Sequence, residues 1–226
     1  MRTESQGAPG VDMKSAQFKH PGDKTNFILN VPEFSVHKGE LVAVVGRVGA
    51  GKSSLISAIL GNMNKASGEA QSGGRVAYVP QNPWCQNMSL RDSILFGSAF
   101  DEDRYDAVIH ACALELDLQI LADGDQTKAG LRGINLSGGQ RQRLNLARCA
   151  YAQSDVVLLD NALSAVDHHT AHHIFKHCIR TMLADKAVVL ITHQVEFLPQ
   201  CNKVAIMDGG KMLYFGPVSI MGLELP

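Results

Sequence analysis

The sequence has few aromatic residues and no long hydrophobic run. Its 226 residues include one tryptophan, and Phe, Trp and Tyr together make up 6% of the chain. The longest apolar runs, Leu41–Val45 and Ala187–Ile191, are the size of a strand, whereas a membrane-spanning helix needs about 20 apolar residues. With 45% hydrophobic residues, the chain can bury one large core or a core with a subdomain. We therefore expect a globular chain that does not cross a bilayer by itself.

The sequence also lacks an excess of charge of either sign. It has 21 basic and 22 acidic residues, a formal net charge of -1. A nonspecific nucleic-acid binder needs a basic patch, and a peripheral membrane protein often carries a polybasic run. The balance of charges therefore indicates neither kind of partner.

Cysteine is sparse and shows no metal or disulfide spacing. The five cysteines are odd in number, widely separated and never arranged as CxxC. Neither a disulfide framework nor a zinc knuckle is predicted. A reducing cytosol fits this pattern best.

The two ends of the chain are expected to lie outside the folded domain. Residues 1–10 contain Ser, Gly and Pro and have no apolar stretch that could act as a signal sequence. We predict a flexible leader at 1–10, a folded domain at 11–218 and a tail at 219–226.

Short runs of apolar and β-branched residues recur along the chain and are typical of strands buried on both faces. They are LVAVV at 41–45, RVAYV at 75–79, VVLLD at 156–160, AVVLIT at 187–192 and KVAIM at 203–207. Helix-like segments follow at 52–60 and 168–182, and Asp208-Gly209-Gly210 predicts a hairpin before KMLYF. This order predicts an α/β fold with a mostly parallel sheet.

One stretch of the chain is instead rich in helix formers. Residues 82–152 contain helix-like segments near 102–116 and 137–151. We predict a helical subdomain at 82–152 inserted into a sheet core formed by 11–81 and 153–217.

A glycine-rich motif stands between the first predicted buried strand and the helix after it. It matches G-x-x-x-x-G-K-[ST], in which glycines let backbone N–H groups surround a β-phosphate. Lys52 would reach the β- and γ-oxygens, and Ser53 would ligate Mg²⁺. The flanking strand and helix disfavour the alternative, a simple glycine turn with a snorkelling lysine. The predicted nucleotide-binding residues are Gly46, Arg47, Val48, Gly49, Ala50, Gly51, Lys52, Ser53 and Ser54.

An aspartate ends a second buried strand. Asp160 follows VVLL, and open parallel sheets bind ligands at the carboxyl ends of their strands. We expect Asp160 to hold Mg²⁺ through water, opposite Ser53. The alternative role, a helix cap, is less favoured because the phosphate loop is present.

A second motif, LSGGQ, opens another predicted helix. Ser137 and Gln140 have the spacing of a capping box, so this glycine-lined helix end is a second candidate anion site. The geometry makes sense if a second copy of the domain supplies the nucleotide. The predicted contacts are Ser137, Gly138, Gly139 and Gln140.

Over about residues 11–217, these motifs and their order resemble the nucleotide-binding domain of ATP-binding cassette proteins. The resemblance implies a P-loop NTPase (RecA-like) core with a small antiparallel β region, which binds ATP and Mg²⁺ and forms an ATP-sandwich dimer with a second cassette. It implies that Gln81 lies near the metal and the attacking water, and that His193 contacts the γ-phosphate. Residues 164–167, SAVD, would form the loop that crosses the dimer interface.

Three longer stretches resemble the first such domain of subfamily C, the multidrug-resistance-associated transporters. They are residues 74–97, 133–151 and 163–167. This resemblance implies a fragment of a longer transporter at the cytosolic face of a membrane, with transmembrane domains of the same polypeptide as partners. Nucleic acid is not expected.

Two positions depart from the family pattern. Asn161 stands where most members carry Glu, and an amide cannot accept a proton from water; loss of a general base typically costs about 10²- to 10⁴-fold in rate. Asn161 is either natural or an introduced change that traps ATP. His20 stands where an aromatic residue usually stacks on adenine, and imidazole offers less stacking area. Phe18, two residues earlier, is predicted to be core rather than platform.

Two further features have alternative interpretations. Five histidines include i,i+4 pairs that could bind a metal, but no HExxH pattern or nearby carboxylate supports a site; they are His168, His169, His172, His173 and His177. Trp84 either packs within the helical subdomain or contacts membrane domains.

Three functions remain open at this point. The first is ATP binding by one half of a transporter's motor, with weak hydrolysis at its own site. The second is a regulatory nucleotide sensor, which Asn161 favours. The third, a soluble repair or translation ATPase, is disfavoured because only 83 positions separate Ser53 from Leu136, without sustained heptads.

Overall fold

The computed structural model describes residues 10–22, 27–129 and 136–218. Its described residues divide into two compact units. The first contains 10–22, 27–76, 155–160 and 185–218, and the second contains 77–129, 136–154 and 161–184. The predicted leader and tail, apart from Gly10, lie outside the described residues.

The structure alternates strands and helices. The strands are β1 (Gly10–Lys19), β2 (Leu29–His37), β3 (Leu41–Val45), β4 (Asn64–Gly73), β5 (Val76–Val79), β6 (Val156–Asp160), β7 (Ala187–Ile191), β8 (Lys203–Asp208) and β9 (Lys211–Pro217). The helices are α1 (Lys52–Ile59), α2 (Leu90–Leu95), α3 (Glu102–Ala111), α4 (Glu115–Ile120), α5 (Gly138–Tyr151) and α6 (His168–Ile174). A π-helical segment, Phe175–Met182, continues α6, and 3-10 turns occur at Gly124–Gln126 and Val195–Gln200.

The first unit is built on a sheet with a parallel centre. Its strands follow the order β4-β1-β2-β9-β8-β3-β7-β6. The pairs β3–β7, β3–β8 and β6–β7 are parallel, with Val42 opposite Val189 and Leu158 also opposite Val189. Every residue of β3, β6 and β7 is buried, which explains their continuous apolar sequences. The predicted α/β fold with a mostly parallel sheet is confirmed.

The strands and the hairpin that the sequence predicted are all present. β8 and β9 pair antiparallel, with Asp208 opposite Lys211 across the predicted glycine turn. Phe18 is buried in the sheet core, as expected.

An antiparallel arm made of β1, β2 and β4 was not predicted strand by strand. β1 pairs with both neighbours. β4 is polar and almost entirely exposed, so it has no apolar pattern from which a strand could be recognised. Its order comes from backbone pairing with β1, which only the tertiary structure supplies.

The second unit is mainly helical. Tyr151 of α5 is fully buried; its hydroxyl donates to the Ala99 carbonyl at 2.7 Å and accepts from the Asp101 N–H at 2.9 Å. The helix predicted at 102–116 is two helices, because Ala113 adopts a left-handed φ of 54° between α3 and α4. No helix among the residues described in either unit has both the length and the apolar character needed to span a bilayer.

A comparison of Gly68 with Gly61 distinguishes the cost of a steric clash from the cost of an unfavourable backbone conformation. Both have φ near +75°, but a Cβ at Gly68 would collide with the carbonyl of Ser15, whereas one at Gly61 meets open space. We expect Gly61→Ala to lower the free energy of unfolding by about 1 kcal/mol and Gly68→Ala by more than about 2 kcal/mol. Urea denaturation of both variants measures the difference. Equal losses would show that β1 and β4 are not paired as described.

Candidate nucleotide-binding site

The predicted phosphate loop connects β3 to α1 in the first unit. A Cβ on Gly46 would collide with the carbonyl oxygen of Met207, so only glycine fits where the loop passes β8. Gly51 precedes α1 with a left-handed φ of 97°. A Cβ on Gly51 would meet the backbone of Gly210. The N–H of Gly210 donates to the Ala50 carbonyl at 3.0 Å. The loop is thus held by backbone contacts to the β8–β9 turn.

Lys52 turns its side chain back into the loop. Its Nζ donates to the carbonyl oxygens of Gly46, at 2.7 Å, and Arg47, at 2.9 Å. Burial lowers the pKa of Lys52, and the negative charge of Asp160 opposes that effect. The loop therefore encloses a cation whose hydrogen bonds go to neutral carbonyls, which a phosphate oxygen can replace with a charge-assisted bond.

Asp160 lies at the carboxyl end of β6, where the sequence predicted it. The side chain is buried, with 4% of its surface exposed. Its strand neighbour Ile191 is itself paired with Val44, one residue before the end of β3. This places the carboxylate at the same sheet edge as the phosphate loop. Ser53, the second residue of α1, is exposed.

His193 lies beside the same loop. A cleft of about 250 Å³ is lined by Val45, Gly46, Arg47, Thr192, His193, Val195 and Ile206. Thr192 is fixed by its N–H, which donates to the Val44 carbonyl at 3.3 Å, and its hydroxyl accepts from the N–H of Gln194 at 3.0 Å. The structure therefore brings His193 to the phosphate loop.

A second aromatic ring, which the sequence did not indicate, lies beside His20. His20 Nε2 lies 3.1 Å from Ser54 Oγ, so the imidazole is tied to α1. The ring of Phe27 lies 5.7 Å from that of His20 and is tilted by 31°. Phe27 also borders Gly51 and Gly210. Nothing in the local pattern of the sequence marks Phe27, because its neighbourhood is formed by segments distant in the chain.

The LSGGQ helix belongs to the second unit, where the predicted capping box forms. Gln140 N–H donates to Ser137 Oγ at 3.1 Å, and Ser137 N–H donates to Gln140 Oε1 at 2.8 Å. Gly138 is exposed and Gly139 half-buried. The first-turn N–H groups of a helix lack intrahelical acceptors, so this end can receive an anion.

Asp117 is a positioning residue that sequence analysis did not find. Its carboxylate accepts from Gln140 Nε2 at 3.0 Å and from Arg143 Nη2 at 2.6 Å. Both members of the ion pair are only 14% exposed. Asp117 therefore anchors the beginning of α5 to α4.

The predicted interface loop at 164–167 lies against the start of α5. A Cβ on Gly139 would come within 2.8 Å of the Ala165 carbonyl, so glycine permits this approach. Asp167 then caps α6 by accepting from the Thr170 N–H at 3.0 Å. Bonds from the Thr170 N–H and hydroxyl lower the pKa of Asp167.

Gln81 and Asn161 also lie in the second unit. Gln81 is exposed in the loop after β5. Asn161 directly follows Asp160 and adopts a left-handed φ of 55°. Its carbonyl accepts from the Ser164 N–H at 3.1 Å and from the Ser164 hydroxyl at 2.9 Å.

Trp84 is packed and exposed at once. The Arg148 guanidinium lies 4.0 Å from the Trp84 ring centroid and 5.2 Å from that of Phe96. Asn145 Nδ2 donates to the Trp84 carbonyl at 2.8 Å. Because Trp84 is 40% and Phe96 50% exposed, this packing leaves an aromatic surface open to solvent.

The backbone at Asn161 gives a testable consequence. Asn tolerates the left-handed region better than other residues with a Cβ. We expect Asn161→Ala to lower the free energy of unfolding by about 1 kcal/mol, and Asn161→Gly to lose less. Asn62, exposed and without a positive φ, is the control position, where Ala should be at least as stable as Gly. The same ranking at both positions would exclude the left-handed conformation.

Comparison with known proteins places the chain in a family. The family model described as ABC transporter matches residues 29–164. Human ATP-binding cassette sub-family C member 3 is 52% identical over 84% of this chain and 12% of its own length. Human sub-family C member 4 is 50% identical over 81% and 14%, and ABC transporter C family member 9 of Arabidopsis thaliana is 43% identical over 91% and 14%. The chain thus spans about an eighth of the length of these relatives. It belongs to the ABC transporter family, as a nucleotide-binding domain of the subfamily C type.

Proposed function

We propose that this chain binds Mg-ATP and drives solute export by a membrane transporter through ATP-dependent dimerisation with a second cassette. The observation that carries the proposal is the geometry around Lys52. A buried ammonium group inside a glycine loop donates to two backbone carbonyl oxygens, and the negative charge of Asp160 acts on its pKa. This arrangement suits a polyphosphate that brings both negative charge and oxygen acceptors.

Triphosphate binding would use the loop from end to end. Backbone N–H groups between Gly46 and Lys52 surround the β-phosphate, and Lys52 exchanges its two carbonyl contacts for β- and γ-oxygens. The base would lie toward His20 and Phe27, which border the loop on the α1 side. This pair offers a small platform, so we expect weak preference between ATP and GTP.

The residues present fit Mg²⁺. The Ser53 hydroxyl and the buried Asp160 carboxylate are oxygen donors of the kind this ion prefers, and Mg²⁺ commonly keeps several waters. Ser53 would ligate the ion and Asp160 would hold it through water. The ion would supply positive charge that neutralises the phosphates of the nucleotide.

Hydrolysis at this chain's own site would be slow. Asn161 can orient a water molecule but cannot take its proton. His193, in the cleft beside Gly46 and Arg47, would donate a hydrogen bond to the γ-phosphate. Gln81 would help to place the metal and the water. These groups would position the water and the metal and stabilise the γ-phosphate. Phosphoryl transfer depends strongly on both effects, so residual turnover is expected.

Dimerisation would use the start of α5. A second cassette presents its γ-phosphate to Ser137, Gly138 and Gly139, where the capping box leaves a positive helix end exposed. The loop containing Ala165 lies beside this end and would cross the interface with it.

The chain would be joined to transmembrane domains of the same polypeptide at the cytosolic face of a membrane. One relative, 49% identical to this chain, is named multidrug resistance protein mrp-7 in Caenorhabditis elegans. The aromatic surface of Trp84 and Phe96 is about half exposed. Such a surface suits the transmission of force to a membrane domain, because Arg148 holds both rings in place.

A second candidate function is a regulatory nucleotide sensor. The specific observation in its favour is Asn161, which removes a general base while leaving the phosphate loop and LSGGQ complete. A sensor would bind ATP and dimerise with very little turnover.

Nucleotide binding is tested by thermal melting. A ligand that binds only the folded state stabilises it by about 2.7 kcal/mol at a hundredfold excess over its Kd. We expect Mg-ATP to raise the Tm of the wild type, and Lys52→Met to lose most of that rise. Lys65→Met, an exposed lysine of β4, should keep it. An equal rise in the Lys52 variant would remove the phosphate-loop assignment.

The division of labour between two cassettes is tested in the full-length transporter. If the partner cassette carries a complete catalytic site, this chain's LSGGQ completes it. Ser137→Arg should then abolish most steady-state ATPase activity by placing bulk and charge at the helix end, whereas Lys52→Met should cost less. Ser72→Arg, on exposed β4, is the control. A larger loss for Lys52→Met would assign productive hydrolysis to this chain's own site.

A further inference from the structure

Three histidine side chains meet on the second unit, and none of them is among the residues assigned to nucleotide binding. They are His110 near the end of α3, His173 near the end of α6 and His177 in the π-helical segment. One ring nitrogen from each lies within 4.8 Å of those of the other two. The ring centroids are separated by 5.0 Å for His110–His173, 5.3 Å for His110–His177 and 4.5 Å for His173–His177.

His110 is the member of this cluster that the sequence did not indicate, and the fold brings it to the other two histidines. His173 and His177 are an i,i+4 pair on one helix face, and such a pair alone offers two ligands. His110 lies 63 positions earlier than His173 and arrives from another helix. Below the cluster, Cys112 Sγ and Cys178 Sγ lie 3.9 Å apart and fully buried, so the two helices that carry the imidazoles are packed together.

Two of the imidazoles also lie within hydrogen-bond distance of an oxygen atom, one of a carboxylate and one of a backbone carbonyl. His110 Nδ1 lies 2.9 Å from Glu115 Oε1, and His173 Nε2 lies 2.7 Å from the His110 carbonyl oxygen. A nitrogen that donates to such an oxygen carries the ring proton, which leaves the other nitrogen with its lone pair. Metal-bound histidines almost always have an outer partner of this kind. In the sequence, no carboxylate closely follows the histidines at 168–177, which counted against a metal site. In the structure, Glu115 supplies this carboxylate through its contact with His110.

We propose that His110, His173 and His177 form a zinc site with three imidazole ligands and a fourth position for water. Three neutral nitrogen donors without a thiolate suit Zn²⁺, which is commonly held tetrahedrally by histidine. At a Zn–N distance of about 2.1 Å, tetrahedral ligands lie about 3.4 Å apart. The donor nitrogens, which lie within 4.8 Å of one another, need to approach by up to about 1.4 Å to reach that separation. Ring rotations of the exposed His110 and the half-buried His173 and His177 can provide this approach.

The bound ion would connect α3 to the helix that contains His173 and His177. Because it would close a long chain segment only in the folded state, its binding free energy adds to the stability of the second unit.

The test uses the untagged 226-residue chain after treatment with a chelator. Calorimetry should show one Zn²⁺ per chain, and Co²⁺ should give the strong visible absorption of a four-coordinate site. Zn²⁺ at a hundredfold excess over its Kd should raise the Tm by roughly 5–10 °C. Absence of stoichiometric binding overturns the proposal.

Single variants locate the site. His110→Gln and His177→Gln should each weaken Zn²⁺ binding at least about 10-fold, and Glu115→Gln, which keeps the fold and removes only the outer carboxylate, should weaken it about 10-fold. His169→Gln, exposed on the same helix, should bind as the wild type does. Wild-type affinity in both ligand variants overturns the proposal.

A double variant excludes the neighbouring histidine pair. His168 and His172 lie with their Nε2 atoms 3.1 Å apart and could bind a metal as a two-ligand site. His168→Gln with His172→Gln should leave the Zn²⁺ affinity within about twofold, and a loss of binding there would move the site away from His110. The Tm of each variant without metal checks that it folds.

Discussion

The parallel pairing of β3 with β7 and β8 is the constraint on which the site depends. β3 and β7 are buried along their whole length, so their backbone groups must pair with neighbouring strands. Because β3 pairs in parallel with both β7 and β8, the carboxyl ends of these strands lie at a common edge. At that edge the chain leaves β3 as the phosphate loop and leaves β6 at Asp160. The electrostatic coupling between Lys52 and Asp160 follows from this alignment.

Glycine is required in the phosphate loop and in LSGGQ because another segment of backbone comes very close, rather than because the chain must be flexible there. Gly46 lies against the Met207 carbonyl and Gly139 against the Ala165 carbonyl, and in each case a methyl group would strike an oxygen. These glycines lie in the two segments to which the proposed function assigns phosphate contacts, so a substitution there would alter both the packing and the proposed binding.

The second unit combines two kinds of polar interaction. Asp117 accepts from Gln140 and Arg143 and so holds the start of α5, whereas Arg148 stacks under Trp84. Asp117 and Arg143 form a largely buried ion pair, which is costly to disturb, and the buried Arg148 donates from Nε to the Ser93 carbonyl at 2.7 Å. They fix the exposed helix end and the exposed aromatic surface that the proposed function assigns to a second cassette and to membrane domains.

The sequence by itself determined the central strands, the glycine hairpin and the motifs, because continuous apolar runs and G-x-x-x-x-G-K-S are local signals. It did not predict the strand β4, whose polar residues carry no such signal, or the break at Ala113. Only the tertiary structure brought Phe27 to Gly51 and Gly210, Asp117 to Gln140 and His110 to His173, since each contact joins segments distant in the chain. A local sequence pattern indicates which residues of one helix or strand are buried. Which residues of different helices and strands come into contact is decided by the packing of the whole chain.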